Sequence, residues 1–168
     1  MNNQDKTFYK EIQKFRQWWF MGFIGILVAM TWYGAIRQLV FKIPFGSNPA
    51  SNPLMLGIWI VAGILFPFFL LSLRLETSIK RDGIYIRFIP FHFKPQKFLY
   101  SDISSYKSVT YNPIREYGGW GIRWGRTGKA YSVSGNKGLL LEFTNGKKLL
   151  IGSVNPQELE RKIPKNLA

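Results

Sequence analysis

The chain contains no cysteine. Disulfides, thiolate metal centres and a cysteine nucleophile are therefore excluded. A single histidine, His92, excludes a histidine-clustered metal site within one chain. Acids are scarce too: 9 Asp and Glu stand against 23 Lys and Arg, a formal net charge of +14. Among the acids after residue 73, Asp82 and Asp102 fall in turn sequences and Glu158 in a helix-start box. Of the remaining acids, Glu76, Glu116, Glu142 and Glu160, only Glu116, beside Arg115 in the long loop, has a plausible active-site address. One acid without a partner is a poor basis for general acid–base chemistry. The expectation is a non-enzymatic protein with no catalytic residue, no metal and no cofactor.

What is present is segregated. Mean hydropathy is −0.05, an average that hides two apolar blocks in a basic chain. Residues 54–73 read LMLGIWIVAGILFPFFLLSL, an uncharged run of about twenty residues, the length a helix needs to cross a hydrocarbon core. Residues 18–36, WWFMGFIGILVAMTWYGAI, form a second such run, with Trp18, Trp19, Trp32 and Tyr33 near its ends, where amphipathic rings favour the headgroup level. It is too long for a signal-peptide core, and no cleavage site follows. Gly25 and Ala29 form a small-residue pair through which two spans could approach. Pro67 is predicted to kink the second span. Pro44, Gly46, Pro49 and Pro53 mark the connection as an irregular loop.

Residues 1–17 form a separate N-terminal segment. Phe8, Ile12, Phe15 and Trp19 line one helical face and Lys6, Lys10 and Lys14 another. This spacing fits a basic amphipathic helix on a membrane surface, or else a plain solvated run-in to the first span. Lys6, Lys10, Lys14 and Arg16 flank the first span, and Arg74, Lys80 and Arg81 follow the second. The connection holds only Arg37 and Lys42. The positive-inside rule then puts both termini in the cytoplasm, with a multi-pass anchor in the cell (inner) membrane.

From residue 74 the period becomes two. LETSIK and IYIRFIPF flank an Asp82-Gly83 turn, and LLLEF and KLLI flank Asn145-Gly146, the strongest short hairpin signal. FHFKPQKF, residues 91–98, alternates as well, which sets His92 on the polar face of a strand, towards solvent or lipid. Further strands are predicted near 105–111, 120–124 and 130–133. Asn155, Pro156 and Glu158 spell a capped helix start. About seven strands closed by one short helix, with no long helices between them, argue for an antiparallel all-β barrel or sandwich.

Several local phrases carry a resemblance. They are Asp82-Gly83-Ile84 followed by Arg87-Phe88, then Tyr100-Ser101-Asp102-Ile103. Tyr117-Gly118-Gly119-Trp120-Gly121-Ile122-Arg123 is the most specific, and Gly138-Leu139 leads on to Leu150-Ile151-Gly152. With a two-span anchor in front, residues 74–163 resemble the bacterial pleckstrin-homology-like membrane proteins of uncharacterised function. The resemblance implies a pleckstrin-homology-like fold and a membrane location, and with the apolar runs and flanking charges it gives a two-helix membrane hairpin (18–73) and a cytoplasmic pleckstrin-homology-like β domain (74–168). It implies no catalytic residues. Fold alone does not transfer the phosphoinositide ligand of other pleckstrin-homology domains.

The run Gly118–Gly128 lacks the Lys-Ser/Thr and the following helix of a phosphate-binding loop. Close backbone packing or a bulge is the expected role, and ligand or partner binding through Tyr117, Trp120, Arg123 and Arg126 is the alternative. The basic excess favours anionic partners. Lys6, Lys10, Lys14, Arg16, Arg74, Lys80 and Arg81 are the candidate contacts to anionic lipid headgroups. A membrane-anchored interaction module follows, binding lipid headgroups, a membrane protein or itself. Nucleic acid ranks below these, because the charges are scattered over every strand. The competing class is an enzyme or transport accessory subunit using the loop 115–129.

Overall fold

The computed structural model describes residues 7–164, which fall into two compact units. One combines the residues up to Lys14 with those from Leu73 onward, and the other is Phe15–Ser72.

The second unit is a helical hairpin. Helix α1, Trp18–Val40, ends in a π-helical turn over Ile36–Val40, and helix α2, Asn52–Ser72, carries a π-helical turn over Val61–Leu65. Both are long and apolar enough to cross a membrane, and in each only 17% of the most apolar window is buried. A core helix would hide most of that surface. Here Phe23, Ile26, Met30, Leu54 and Phe68 point outward.

The small-residue pair does not form the seam of the hairpin, since Gly25 has no neighbour within 4 Å of a would-be Cβ. The close approach is at Gly63, whose added Cβ would lie 2.9 Å from Thr31 Oγ1. Pro67 explains the local chemistry there. Its ring has no N–H to give the carbonyl four residues back, which is Gly63. The π-helical turn absorbs the mismatch, and the Gly63 carbonyl accepts the Trp32 indole N–H at 3.2 Å instead. Trp32 also packs edge-on against Trp59, with ring centroids 5.1 Å apart.

The other unit is built on two sheets. Among the described residues the first has the order β1-β2-β3-β4, from Thr7–Lys14, Arg74–Lys80, Gly83–Ile89 and Gln96–Leu99. The second runs β5-β8-β9-β7-β6, from Ile103–Thr110, Lys137–Phe143, Lys148–Gly152, Gly128–Ser132 and Gly121–Gly125. The inner faces alternate as a half-buried sheet requires: Leu75, Thr77 and Ile79 pair with Phe88, Ile86 and Ile84. Leu139, Leu141, Leu149 and Ile151 supply the second sheet's share of the core. Helix α3, Pro113–Tyr117, interrupts the second half, and helix α4, Pro156–Lys162, packs on β5 and β8 with Leu159 buried. The α4 cap is the predicted one, with the Glu158 N–H donating to the Asn155 side chain.

Three expectations are corrected. The sheets are open, so the domain is not a closed barrel. The pairing is not wholly antiparallel, because β7 runs parallel to β9, with Lys129, Ala130 and Tyr131 opposite Leu149, Leu150 and Ile151. The N-terminal segment is neither a surface helix nor a solvated run-in: residues 7–14 are a strand of the first sheet, antiparallel to β2 from Thr7↔Lys80 to Lys14↔Arg74. Its inward residues are polar, which disguises the strand. Glu11 accepts from the Tyr9 hydroxyl at 3.1 Å, the Gln13 amide at 2.9 Å, the Ser153 hydroxyl at 2.7 Å and the Val154 N–H at 2.8 Å. Gln13 is buried and also donates to the Gly152 carbonyl at 2.7 Å. The apolar Phe8 and Ile12 face outward, so they read as a helical stripe.

Candidate functional site

The glycine-rich segment is built as a cover for the outer face of the second sheet. Asn112 accepts the Arg115 N–H at 3.0 Å, and Glu116 reaches back to accept the Asn112 N–H at 2.6 Å, which caps α3 from both sides. The helix ends at Gly118 in the left-handed region, with φ at 71°. Tyr117 is thereby turned inward, edge-on to Tyr111 with centroids 5.8 Å apart, in a small cluster with Ala130 and Leu150. Its hydroxyl lies 2.6 Å from Thr127 Oγ1. Burial raises the pKa of both tyrosines above the ordinary phenol value. A Cβ at Gly125 would collide with the Glu116 carbonyl oxygen, so that glycine is required by backbone approach.

The segment then turns at Arg126 and Thr127 and enters a cleft of about 750 Å³. Its walls come from both sheets: Gln96 and Phe98 on β4, Trp124 on β6, Lys129 and Tyr131 on β7, and Phe143 to Leu149 around the β8–β9 turn. Four cations line it, Arg126, Lys129, Lys147 and Lys148, together with four aromatic rings and no carboxylate. Lys129 Nζ sits 4.7 Å from the Tyr131 ring centroid and 5.4 Å from that of Trp124. These ring faces hold the ammonium without neutralising it. Lys148 has a partner, Glu142 at 3.5 Å, and that pair is well exposed. The size is that of a small-molecule site, and the lining suits an anion with an apolar body.

At one edge of this cleft stands His92. The expected strand over 91–98 is present only from Gln96, because Pro90 and Pro95 bracket a turn. His92 is half-buried rather than facing solvent or lipid. Its Nδ1 accepts the Phe88 N–H at 3.1 Å, and Nε2 lies 3.2 Å from the Gln96 amide, which meets the Tyr131 hydroxyl at 2.6 Å. A proton on Nδ1 would set two N–H groups against each other. Burial first, and then the positive charge of Lys129, lower the His92 pKa below its ordinary value. The unfolded chain takes up this proton below about pH 6.5, and the folded chain does not until the pH is lower. Stability from His92 is therefore complete above that pH and is lost as the pH falls through the depressed native value. His92→Asn keeps an acceptor but cannot titrate. Its thermal midpoint is expected to fall less than that of the parent between about pH 7.5 and pH 5.

The sequence-based candidates divide. Of Tyr117, Trp120, Arg123 and Arg126, only Arg126 lines the cleft. Tyr117 is buried, Trp120 donates its indole N–H to the Gly135 carbonyl, and Arg123 is exposed with its Nε donating to the Trp120 carbonyl. Of the headgroup candidates, Lys10, Lys14, Arg74 and Lys80 share the outward face of the first sheet. Lys14 and Arg74 are register partners at one end, whereas Lys80 and Arg81 lie at the other, about 20 Å along the strand. Arg16 is exposed ahead of α1, and Lys6 lies outside the described residues. Asp82 accepts from Tyr85 and pairs with Lys97 at 2.7 Å, a turn role as its sequence implies. Among the described residues no group of three His, Cys, Asp or Glu side chains is placed to hold a metal.

No local motif joins Lys129 to Lys147 and Lys148, and the parallel β7–β9 pairing is what brings it beside them. The family model described as "Family of unknown function (DUF6141)" matches residues 2–168. No curated protein and no solved structure matches the chain.

Proposed function

The chain belongs to the DUF6141 family of unknown function, and from that starting point we propose that it is a membrane-anchored, non-enzymatic binding module. Its cleft takes an anionic ligand with an apolar body, and anionic lipid is the nearest source. The observation that carries this is a cleft with four cations, aromatic walls and no carboxylate, on a chain with two outward-facing apolar helices. An anion entering it would replace its hydration with ammonium and guanidinium donors, while its apolar part covers Phe98, Phe143 and Trp124.

The anchor is the helical hairpin in the cell membrane. Pairing of β1 with β2 supports a topology with both hairpin ends on one side, because the chain leaves and re-enters the same sheet. The basic flanks support the cytoplasmic side. Kinship with the pleckstrin-homology-like membrane proteins belongs to the same proposal. Two sheets ended by a capped helix favour it, and the parallel pair β7–β9 is the feature that departs from a simple antiparallel sandwich.

The test uses the full chain in phosphatidylcholine nanodiscs, titrated with short-chain phosphatidylglycerol and, separately, with inorganic phosphate. Binding of the lipid is expected to weaken with salt. The double variant Lys129→Glu, Lys147→Glu is expected to raise its Kd by about a hundredfold or more, since each of the two lost charged hydrogen bonds is worth about 1.5–3 kcal/mol. An unchanged Kd in the double variant sinks the reading. Equal binding of inorganic phosphate would assign the site to the phosphate alone.

A further inference from the structure

The connection between β3 and β4 presents two phenylalanines to the outside. Phe93 is 90% exposed and Phe91 56% exposed, in the sequence Pro90-Phe91-His92-Phe93-Lys94-Pro95. Ile114, Trp124 and Val154 are also open on this unit, but each stands apart in the sequence, whereas here two phenylalanines stand within one short turn. The turn is held from behind. The His92 N–H donates to the Phe88 carbonyl at 2.8 Å, the Phe88 N–H to His92 Nδ1 at 3.1 Å, and Arg87 Nε to the His92 carbonyl at 3.2 Å. The phenylalanines are thus displayed by a braced scaffold and not by a slack loop.

Register fixes which end of the sheet carries them. Ile89, the last residue of β3, pairs with Arg74, and Arg74 pairs with Lys14. Lys14 is the last residue of β1, four before α1 begins at Trp18, and Arg74 follows α2, which ends at Ser72, after one intervening residue. The three adjacent strands therefore end together, two of them continuing into the apolar helices and the third into the Phe91–Phe93 turn. Both links are short, since four residues of chain span at most about 14 Å and a single residue separates Ser72 from Arg74. Trp18, 86% exposed, and Trp19 open α1, a pairing that belongs at the headgroup level of a bilayer.

We infer that the β3–β4 turn is a third membrane contact. Phe91 and Phe93 enter the boundary between headgroups and acyl chains beside the two chain crossings, with Lys14, Arg74 and Lys94 meeting lipid phosphates around them. The inference rests on the membrane reading above and adds to it that the β3–β4 turn meets lipid, whereas the Arg81 turn, at the other end of β2 and β3, meets water. Burial of apolar side chains and attraction of cations to an anionic surface are the two terms that bind interfacial segments.

The absence of cysteine makes the test direct, because an introduced thiol is the only one in the chain. Phe93→Cys, Arg81→Cys and Ile26→Cys are each labelled with a small fluorophore. The full chain is reconstituted in phosphatidylcholine–phosphatidylglycerol nanodiscs. All three sites are exposed, so labelling leaves the core alone. The label at position 93 is expected to be quenched by spin-labelled lipid and shielded from aqueous iodide, and the label at 81 to show the reverse. A label at 93 open to iodide overturns the inference, as does one shielded from iodide yet unreached by lipid quencher, which would mean a protein surface covers it. Position 26, at mid-helix, separates the two claims: if it too escapes the lipid quencher, the membrane reading itself fails.

Discussion

Gly128→Ala is expected to lower stability by about 3 kcal/mol or more, the largest effect of any single methyl group in the sheet unit. Two costs coincide there. Gly128 has φ at +122°, a region that residues with a Cβ avoid, and the added Cβ would collide with the Lys148 carbonyl oxygen on the neighbouring parallel strand. The backbone cannot relax outward, because Lys129 and Ala130 are held in register with Leu149 and Leu150 immediately beyond. Gly135→Ala is the control. Its φ is +70° but its Cβ position is empty, so the expected loss is about 1 kcal/mol. Thermal unfolding of the full chain, followed by near-ultraviolet circular dichroism, reads both. Equal losses in the two variants would mean that the close β7–β9 approach is not the constraint. Because Lys129 is the next residue, a Gly128→Ala chain that still folds should also lose ligand affinity.

Glu11→Ala is expected to cost about 3 kcal/mol, and to do so locally. The carboxylate is the shared acceptor for Tyr9, Gln13, Ser153 and Val154, so its removal strands several donors at once. The same carboxylate, after burial, pushes the Tyr9 phenol well above its ordinary pKa. Amide exchange resolves where the loss falls. The β1 amides should exchange much faster in the variant, while those of β8 and β9 keep their protection. Glu11→Gln retains one acceptor oxygen and should fall between. Unchanged protection in β1 would mean that the ladder to β2, and not the carboxylate, holds the strand.

These two positions show where the sequence speaks and where it is silent. The apolar helices declare themselves by length and lack of charge, and the Asp82-Gly83 and Asn145-Gly146 hairpins by turn chemistry that acts over four residues. Asn155, Pro156 and Glu158 announce α4 in the same way. The first strand is hidden because its buried side is Tyr9, Glu11 and Gln13, polar residues whose partners at 152–154 lie at the far end of the chain. Helix α3 is hidden behind Pro113, although Asn112 and Glu116 are its two caps and stand in plain view. The cleft is the least legible part. Lys129 and Lys147 become neighbours only when β7 lies parallel to β9, and no local pattern encodes a parallel partner. Of the glycines around Trp120 and Trp124, Gly125 is the packing glycine that lets the Glu116 carbonyl pass, whereas Gly118, Gly119 and Gly121 have no close contact and serve positive φ.

One feature of the first sheet also bears on how the protein is made. Strand β1 leaves the ribosome before either apolar helix, and its partner β2 emerges after both. The early strand has no template until residues 15–73 have been synthesised. In a chain stalled inside the hairpin, β1 lacks its partner strand and Glu11 lacks its Ser153 and Val154 donors. The first sheet therefore cannot close until residues 15–73 have been made, so its completion reports a full-length hairpin in the chain.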